Sequence, residues 1–419
     1  MTDNDWIAAA LASARPQAIG ALLRYFRDLD TAENAFQEAC LRALKNWPVN
    51  GPPRDTAAWL IMVGRNFALD ELRRGKKNVE LPADGLVSDV DESPAALAER
   101  LDDSHYRDDI LRLLFVCCHP DLPATQQIAL ALRVVSGLSV KEIARAFLAS
   151  EAAIEQRITR AKRRIAEADV PFETPGPIER SERLGAVAAM VYLLFNEGYS
   201  ASGGDAHIRV PLCEEAIRLA RLLLRLFPAE PEIMGLAALM LLQHARAPAR
   251  LDADGNVVLL EDQNRDLWKR ELIGEGLALI DKALRHRRPG PYQVQAAIAG
   301  VHAHAARPED TDWAEIDRLY ALLERLQPSP VVTLNRTVAV SKVRGPAAAL
   351  EMIEPLGERL SGYFHFFGTK GWLLMQLGHA EEARVAFDRA IALANTAQEA
   401  AQIRTYLDRL SKDTKPETS

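Results

Sequence analysis

The chain has 419 residues, 48% of them hydrophobic, and a formal net charge of -7, so it is long enough for two or three domains with their own cores. That charge and a pI near 5.8 exclude a protein that coats nucleic acid or an anionic membrane by bulk charge, and any phosphate binding must come from local patches. The opening "MTDNDWIAAALASARPQ" has no basic stretch before its apolar run, and no run of about eighteen apolar residues occurs anywhere, so the expectation is a soluble, cytoplasmic protein with no membrane partner.

Ala, Leu, Glu and Arg dominate, apolar residues recur at helical spacing, and strand-like alternation is nearly absent, which predicts an all-α protein. The first block spans residues 6–78. In it Phe36, Cys40, Leu44 and Trp47 form an apolar stripe that leaves Glu33, Gln37 and Glu38 to a partner or to water. On the following helix Asn66, Asp70, Arg73 and Lys77 make a polar stripe with Arg65 and Arg74 beside it. Asp70 can pair with Arg73 or Arg74, and the excess of cations favours a phosphate-bearing partner. Trp47, Trp59 and Phe67 are either core aromatics or surfaces on which unpaired bases stack. Residues 79–100, polar, acidic and rich in turn formers, read as a flexible linker.

The second block, residues 101–168, contains the run "VKEIARAFLASEAAIEQRITRAKRRI". Ser139 followed by Glu142 is a capping-box pattern that starts a helix running to about Leu148, and Ser150 starts a second. Two short helices with a tight joint form a helix-turn-helix. On the second, Ile154, Ile158, Ala161 and Ile165 close a small core. Ala153, Gln156, Arg157, Arg160 and Arg164 are read as the opposite side, with Arg163 and Lys162 in the same basic run. A small-headed start and an arginine-rich tail suit a helix whose first turns meet base edges in a major groove while later residues hold phosphates; the bland reading is a solvated basic face. The four cysteines, Cys40, Cys117, Cys118 and Cys213, are too few and too irregular for a disulfide framework. "CCHP" at 117–120 lacks zinc-ligand spacing and reads as buried packing.

A Pro-rich spacer over residues 169–180 precedes a long helical region, residues 181–410. Within it "CEEAIRLARLLLRLFPAEP", "DWAEIDRLYALLERLQPSP" and "GHAEEARVAFDRAIAL" place small and apolar residues at the offsets of a tetratricopeptide repeat's second helix, which predicts stacked helical hairpins. "FNEGYSASGGD", Phe195 to Asp205, reads as a connector or a binding loop. "EDQNRDLWKR", Glu261 to Arg270, reads as the polar start of an amphipathic helix. His302 and His304, two apart, make a poor metal pair.

"LSVKEIARAFLASEAAIEQRITRAKRRI" resembles, without a gap, the promoter-reading helix-turn-helix of bacterial extracytoplasmic-function (ECF) sigma factors. "TAENAFQEACLRALKNW" resembles their polymerase-docking helix, and "AWLIMVGRNFALDELRR" the helix that reads and opens the minus-ten element. Leu148 stands where many members have glycine in the turn, and Thr31 and Asn34 replace acidic residues common in the docking motif. The chain as a whole looks like the ECF subgroup with a tetratricopeptide-like C-terminal domain. The resemblance implies two small helical sigma domains followed by that helical-repeat domain. Its partners are then RNA polymerase core, through Glu33, Asn34, Gln37, Glu38 and Arg42, and promoter DNA, through Arg65, Asn66, Asp70, Arg73 and Arg74 and through Ser150, Ala153, Gln156, Arg157, Arg160, Arg163 and Arg164. The third domain is expected to regulate activity through intramolecular or protein contacts. No cofactor, metal or catalytic constellation is expected, since no nucleophile and base pair, phosphate loop or ligand cluster stands out. Two other readings stay open: a helix-turn-helix regulator with a helical sensor, and a helical scaffold that binds no DNA.

Overall fold

In the computed structural model, which describes residues 5–74, 103–147, 149–168, 177–199, 210–252, 258–394 and 397–413, the described residues form eighteen α-helices and no β-strand. No described helix is long and apolar enough to cross a membrane. Lys77, the segment 79–100 and Leu148 lie outside the described residues, as do residues 169–176 of the spacer and 200–205 of the "FNEGYSASGGD" stretch. The chain divides into two compact units at Leu194/Phe195.

The first unit begins with α1 (Asp5–Phe26), α2 (Leu29–Asn50) and α3 (Thr56–Arg74), which pack on one another. Asp28 caps α2 by accepting from the Thr31 amide at 2.7 Å, and Gly51, at φ 75°, ends it. Thr31 thus serves the helix start, where its hydroxyl also donates to Asp28. The core centres on Ile19, Leu22, Leu23 and Leu60, all fully buried. Next come α4 (Asp103–Cys117), which lies on α1, and α5 (Ala124–Val134). At the α1–α4 crossing a Cβ on Gly20 would meet the Asp109 carbonyl oxygen at 2.6 Å, so only glycine permits this approach.

The two helices of the expected helix-turn-helix are α6 (Val140–Phe147) and α7 (Glu151–Glu167). The capping box forms as the spacing predicts: the Ser139 hydroxyl accepts from the Glu142 amide at 3.2 Å, while the Glu142 carboxylate accepts from the Ser139 amide and hydroxyl, both at 2.7 Å. Ser150 caps α7 by accepting from the Ala153 amide at 3.2 Å. Cys117, Cys118 and Cys213 are buried and Cys40 half-buried, all free thiols. Burial pushes Cys118 and Cys213 up to about 12 and Cys40 up to about 11, which leaves them protonated and unreactive.

Helix α8 (Pro177–Tyr199) starts inside the stretch read as a spacer, and the division between units falls within it. The second unit continues with α9 (Val210–Leu226), α10 (Pro231–Ala245), α11 (Arg270–Leu284), α12 (Pro291–His304), α13 (Trp313–Leu326), α14 (Pro330–Arg344), α15 (Pro346–Ile353), α16 (Phe364–Gln376), α17 (Ala380–Leu393) and α18 (Ala397–Asp413). From α9 onward each helix packs on its neighbours in sequence, and α10 packs on α12 as well as on α11, the arrangement of a helical solenoid. The repeat positions behave as expected where they matter most: Ala216, Ala220, Ile316, Leu323, Ala383, Phe387 and Ala390 are buried. Gly378, at φ 78°, makes the joint between α16 and α17. The segment 261–270 departs from expectation. It forms two 3-10 turns, Leu260–Asp262 and Arg265–Leu267, because the Asn264 side chain accepts from the Asp266 amide and diverts the chain before α11 begins.

Two comparisons test this packing. Gly20→Ala should lower stability by about 1–3 kcal/mol through overpacking against α4, whereas Gly185→Ala on α8, where a Cβ meets nothing within 4 Å, should raise it by up to about 1 kcal/mol; thermal denaturation of the two variants reads both signs. Ser139→Ala should cost about 1 kcal/mol at neutral pH. The Ser139 hydroxyl, and then its amide, hold the Glu142 carboxyl below its ordinary value. The difference is therefore complete above the ordinary carboxylate range and fades as pH falls through the lower folded value, which denaturation at several pH values measures.

Candidate nucleic-acid interface

The helix α7 is sorted as its sequence pattern requires on one side: Ile154, Ile158, Ala161 and Ile165 are all buried against its neighbours. The opposite side differs from expectation. Ala152, Gln156, Thr159, Arg160 and Arg163 are exposed and, with Glu155, line a shallow surface depression. Ala153 and Arg157 are half-buried, and the Arg164 guanidinium donates to the Asp121 carbonyl at 3.0 Å, which turns it toward the loop before α5. At 100° per residue, positions 153, 157 and 164 fall on a flank of the helix, and the true outer face runs through 152, 156, 159, 160 and 163. Stepping by three and four from Gln156 finds Ala152 and Thr159, which the charge-based reading passed over. Arg163 pairs loosely with Glu167 at 3.6 Å, both exposed, so its charge stays available to a phosphate.

On α3, Asn66 is half-buried and Asp70, Arg73 and Arg74 are exposed; Asp70 pairs with Arg73 at 3.7 Å and Glu71 with Arg74 at 3.4 Å. Arg65 is a correction: it is 9% exposed, because Ala58, Ile61, Arg65 and Ala68 share the inward helical face. Of the two readings of Trp47, the core one holds. It is buried, with Trp59 edge-on at 5.3 Å and Trp6 stacked at 6.2 Å, so it is a core aromatic with no face for a base. Phe67 is half-buried and carries the Arg42 guanidinium 5.7 Å above its ring.

The face of α2 is rotated from the expected stripe. Leu29, Ala32, Phe36, Ala39, Ala43 and Trp47 turn inward together with Glu33. Asn34, Gln37 and Arg42 are exposed and Glu38 is half-buried, bonded to Arg42 Nε at 3.0 Å. Leu44, assigned to the core from its spacing, is 49% exposed beside Leu41 at 53%. Two exposed leucines among polar residues give this face the apolar centre and polar rim of a protein-binding surface, a feature the stripe assignment concealed.

Glu33 is a further correction, being 3% exposed rather than open to a partner. One carboxylate oxygen lies 2.6 Å from Lys162 Nζ on α7, and the other faces Arg15 at 3.7 Å and Arg133 at 3.9 Å. Lys162 also reaches Asp30 at 2.6 Å. Burial disfavours the charge on Lys162, yet the hydrogen bonds to Asp30 and Glu33 outweigh it and hold its pKa above the usual lysine value. Arg15, stacked 5.0 Å over Phe36, donates to the Val134 and Arg133 carbonyls at 2.9 and 3.0 Å and so caps the end of α5. The three-helix block and the helix-turn-helix therefore meet across one buried anion and three cations. Among the described residues no group of three or more His, Cys, Asp or Glu is placed to hold a metal ion.

Comparison with known families places a sigma-70 region 2 model on residues 11–78 and a sigma-70 region 4 model on residues 112–165. A family of unknown function (DUF6596) matches residues 183–284. The chain is 70% identical over 413 residues, 99% of its length and 98% of the relative's, to an uncharacterized protein of Rhizobium meliloti. It is 32% identical over 142 residues, 32% of this chain and 50% of the relative, to the ECF RNA polymerase sigma factor BldN of Streptomyces coelicolor. It is also 29% identical over 167 residues, 39% of this chain and 84% of the relative, to the ECF RNA polymerase sigma factor EcfG of Rhodopseudomonas palustris. Between these, the chain spans half of BldN and most of EcfG, and both matches fall well short of its own length. No solved structure matches.

Neutralising the buried anion should loosen this junction. Glu33→Gln leaves three cations facing one another and should cost about 3–5 kcal/mol, whereas Asp30→Asn, which removes the solvent-facing partner of the same lysine, should cost under about 1 kcal/mol. Denaturant titration measures both, and amide exchange should localise the Glu33→Gln effect to α2, α5 and α7.

Proposed function

We propose, from the premise that this chain belongs to the sigma-70 family as an ECF member with an added C-terminal helical domain, that it binds RNA polymerase core and directs it to promoters. Sigma factors are not enzymes, and we read this chain as one that carries out no reaction of its own. The observation that carries the reading is the presence, in one compact unit, of a doubly capped helix-turn-helix with an exposed Gln and Arg face and of a docking helix whose exposed leucines await a protein.

On α7 the proposal assigns base-edge contact to Ser150, Ala153 and Gln156 near the capped start, with Thr159 beside them. Arg160 and Arg163 hold phosphates on the outer face, and Arg157 and Arg164 serve the flank. On α3, Asn66, Asp70, Arg73 and Arg74 form the surface offered to the minus-ten element, and Arg65 supports it from within. On α2, Asn34, Gln37, Glu38 and Arg42 ring Leu41 and Leu44 as the polymerase-docking face. A free-standing regulator has no need of that docking face, which favours the sigma reading over its rival.

Three measurements test the assignment. The charge swap Glu38→Lys with Arg42→Glu reverses two groups that pair only at the surface, so the variant should stay folded by circular dichroism and lose co-purification with polymerase core; retained binding refutes the docking face. Arg160→Ala and Arg163→Ala should each weaken binding about equally across DNA sequences at low salt and flatten the salt slope by about one charge, while half-buried Arg157 on the flank responds less. Truncation after Pro171 should change run-off transcription several-fold if the helical-repeat domain regulates the sigma domains, through the effective concentration a short tether confers. Equal yields from the truncated and full chains exclude that role.

A further inference from the structure

Within the second unit, α12, α13, α14, α16 and α18 and the turns ahead of α11 surround an open cavity of about 680 Å3. That size belongs to sites for small organic molecules. Its walls are aromatic, with Trp313, Tyr320, Phe364, Trp372 and Tyr406 contributing from three helices. One wall holds a cation. Arg265, 7% exposed, donates through Nη1 to the His302 and Ala305 carbonyls at the end of α12 and weakly through Nη2 to Thr311 Oγ1 at 3.4 Å, while its buried Nε has no hydrogen-bond partner.

The surroundings leave this charge under-compensated. The helix end supplies roughly half an elementary charge. No carboxylate among the described residues lies within 4.0 Å of the guanidinium. Asp310 and Glu309 act on it from a distance; both are exposed and engage Arg307, Glu309 at the edge of the cavity lining. Behind Arg265 a second guanidinium, Arg246, bonds only to the neutral Gln263 side chain at 3.2 Å, and the two lie 5.1 and 5.7 Å from the same Trp268 ring. Burial and these two arginines push His302 down to about 4, so it is neutral at pH 7 and neither adds to nor offsets their charge. At the rim Lys342 lies 5.8 Å over Trp313 and 3.3 Å from Glu261. A buried cation without a carboxylate partner, beside an aromatic cavity, is the complement of an anion with an aromatic body.

We propose that the cavity binds a small aromatic carboxylic acid, its ring among Trp313, Tyr320, Trp372 and Tyr406 and its carboxylate toward Arg265, with Lys342 at the entrance. The site goes beyond the sigma activity and does not depend on it.

Calorimetric titration of the full chain tests this with benzoate, phenylpyruvate, indole-3-acetate and 1-naphthoate as probes, each against its neutral amide, and with tryptamine as the cationic counterpart of indole-3-acetate. At least one acid should saturate a single site per chain, its amide should bind about tenfold or more weakly, and tryptamine should not bind. Arg265→Gln should remove the preference for acid over amide. Because Arg265 also caps α12, that variant is paired with Lys342→Gln at the exposed rim, which leaves the fold untouched and should weaken the acid several-fold without affecting the amide. No saturable binding by any of the acids at about 10 mM, equal affinity for acid and amide, or a preference for tryptamine overturns the proposal.

Discussion

The buried carboxylate of Glu33 is the constraint on which the first unit turns. An isolated anion in that position is untenable, and it persists because cations from three different helices, Arg15, Arg133 and Lys162, converge on it. The same groups do more than neutralise. Arg15 ends α5 by taking its last carbonyls, and Lys162 pins the flank of α7 to the start of α2. With Lys162 and the isoleucine side of α7 both committed inward, Gln156, Arg160 and Arg163 are left pointing away. The orientation of this exposed face is thus a by-product of where Lys162 is held.

A consequence follows for the cationic run in the middle of an acidic chain. Its members divide by helical angle and not by charge alone. Lys162 is an internal tie, Arg164 serves a neighbouring loop, Arg157 is half-buried, and Arg160 and Arg163 remain exposed. In a chain of net charge -7, exposed Arg160 and Arg163 form a small local cationic patch, and phosphate contact through so few charges would carry a correspondingly shallow salt slope. On α2 the inward face centres on Phe36, Ala39 and Ala43, so Leu41 and Leu44 fall outside it, and the resulting apolar centre ringed by Asn34, Gln37 and Arg42 is suited to a protein partner.

The second unit applies the opposite electrostatic rule. There a guanidinium is buried on helix-end carbonyls with no ion-paired carboxylate among the described residues, and the repeat geometry lines the adjoining cavity with aromatic side chains from helices far apart in sequence. A solenoid built from nearest-neighbour packing has no need of such a cation for its core, where Ala383, Phe387 and their equivalents suffice.

The sequence by itself determined what depends on short range. Helical periodicity marked the helices, the Ser139 and Glu142 spacing marked the start of α6, Ser150 marked that of α7, and the isoleucines at 154, 158 and 165 marked the buried side. Small residues at repeat offsets announced the helical pairs of the second unit. Only the tertiary structure decided which charged residues lie inside. Glu33 and Arg65 sit at positions a local stripe can assign to either face, and the partners that make burial of Glu33 tolerable stand 18, 100 and 129 residues away along the chain. Leu44 is exposed because the inward face of α2 centres on Phe36, Ala39 and Ala43, and the charge left on Arg265 depends on carbonyls of a helix that begins at Pro291. Periodicity reports that a face is buried, but the cost of burying a charge on it depends on groups that meet only when distant helices pack.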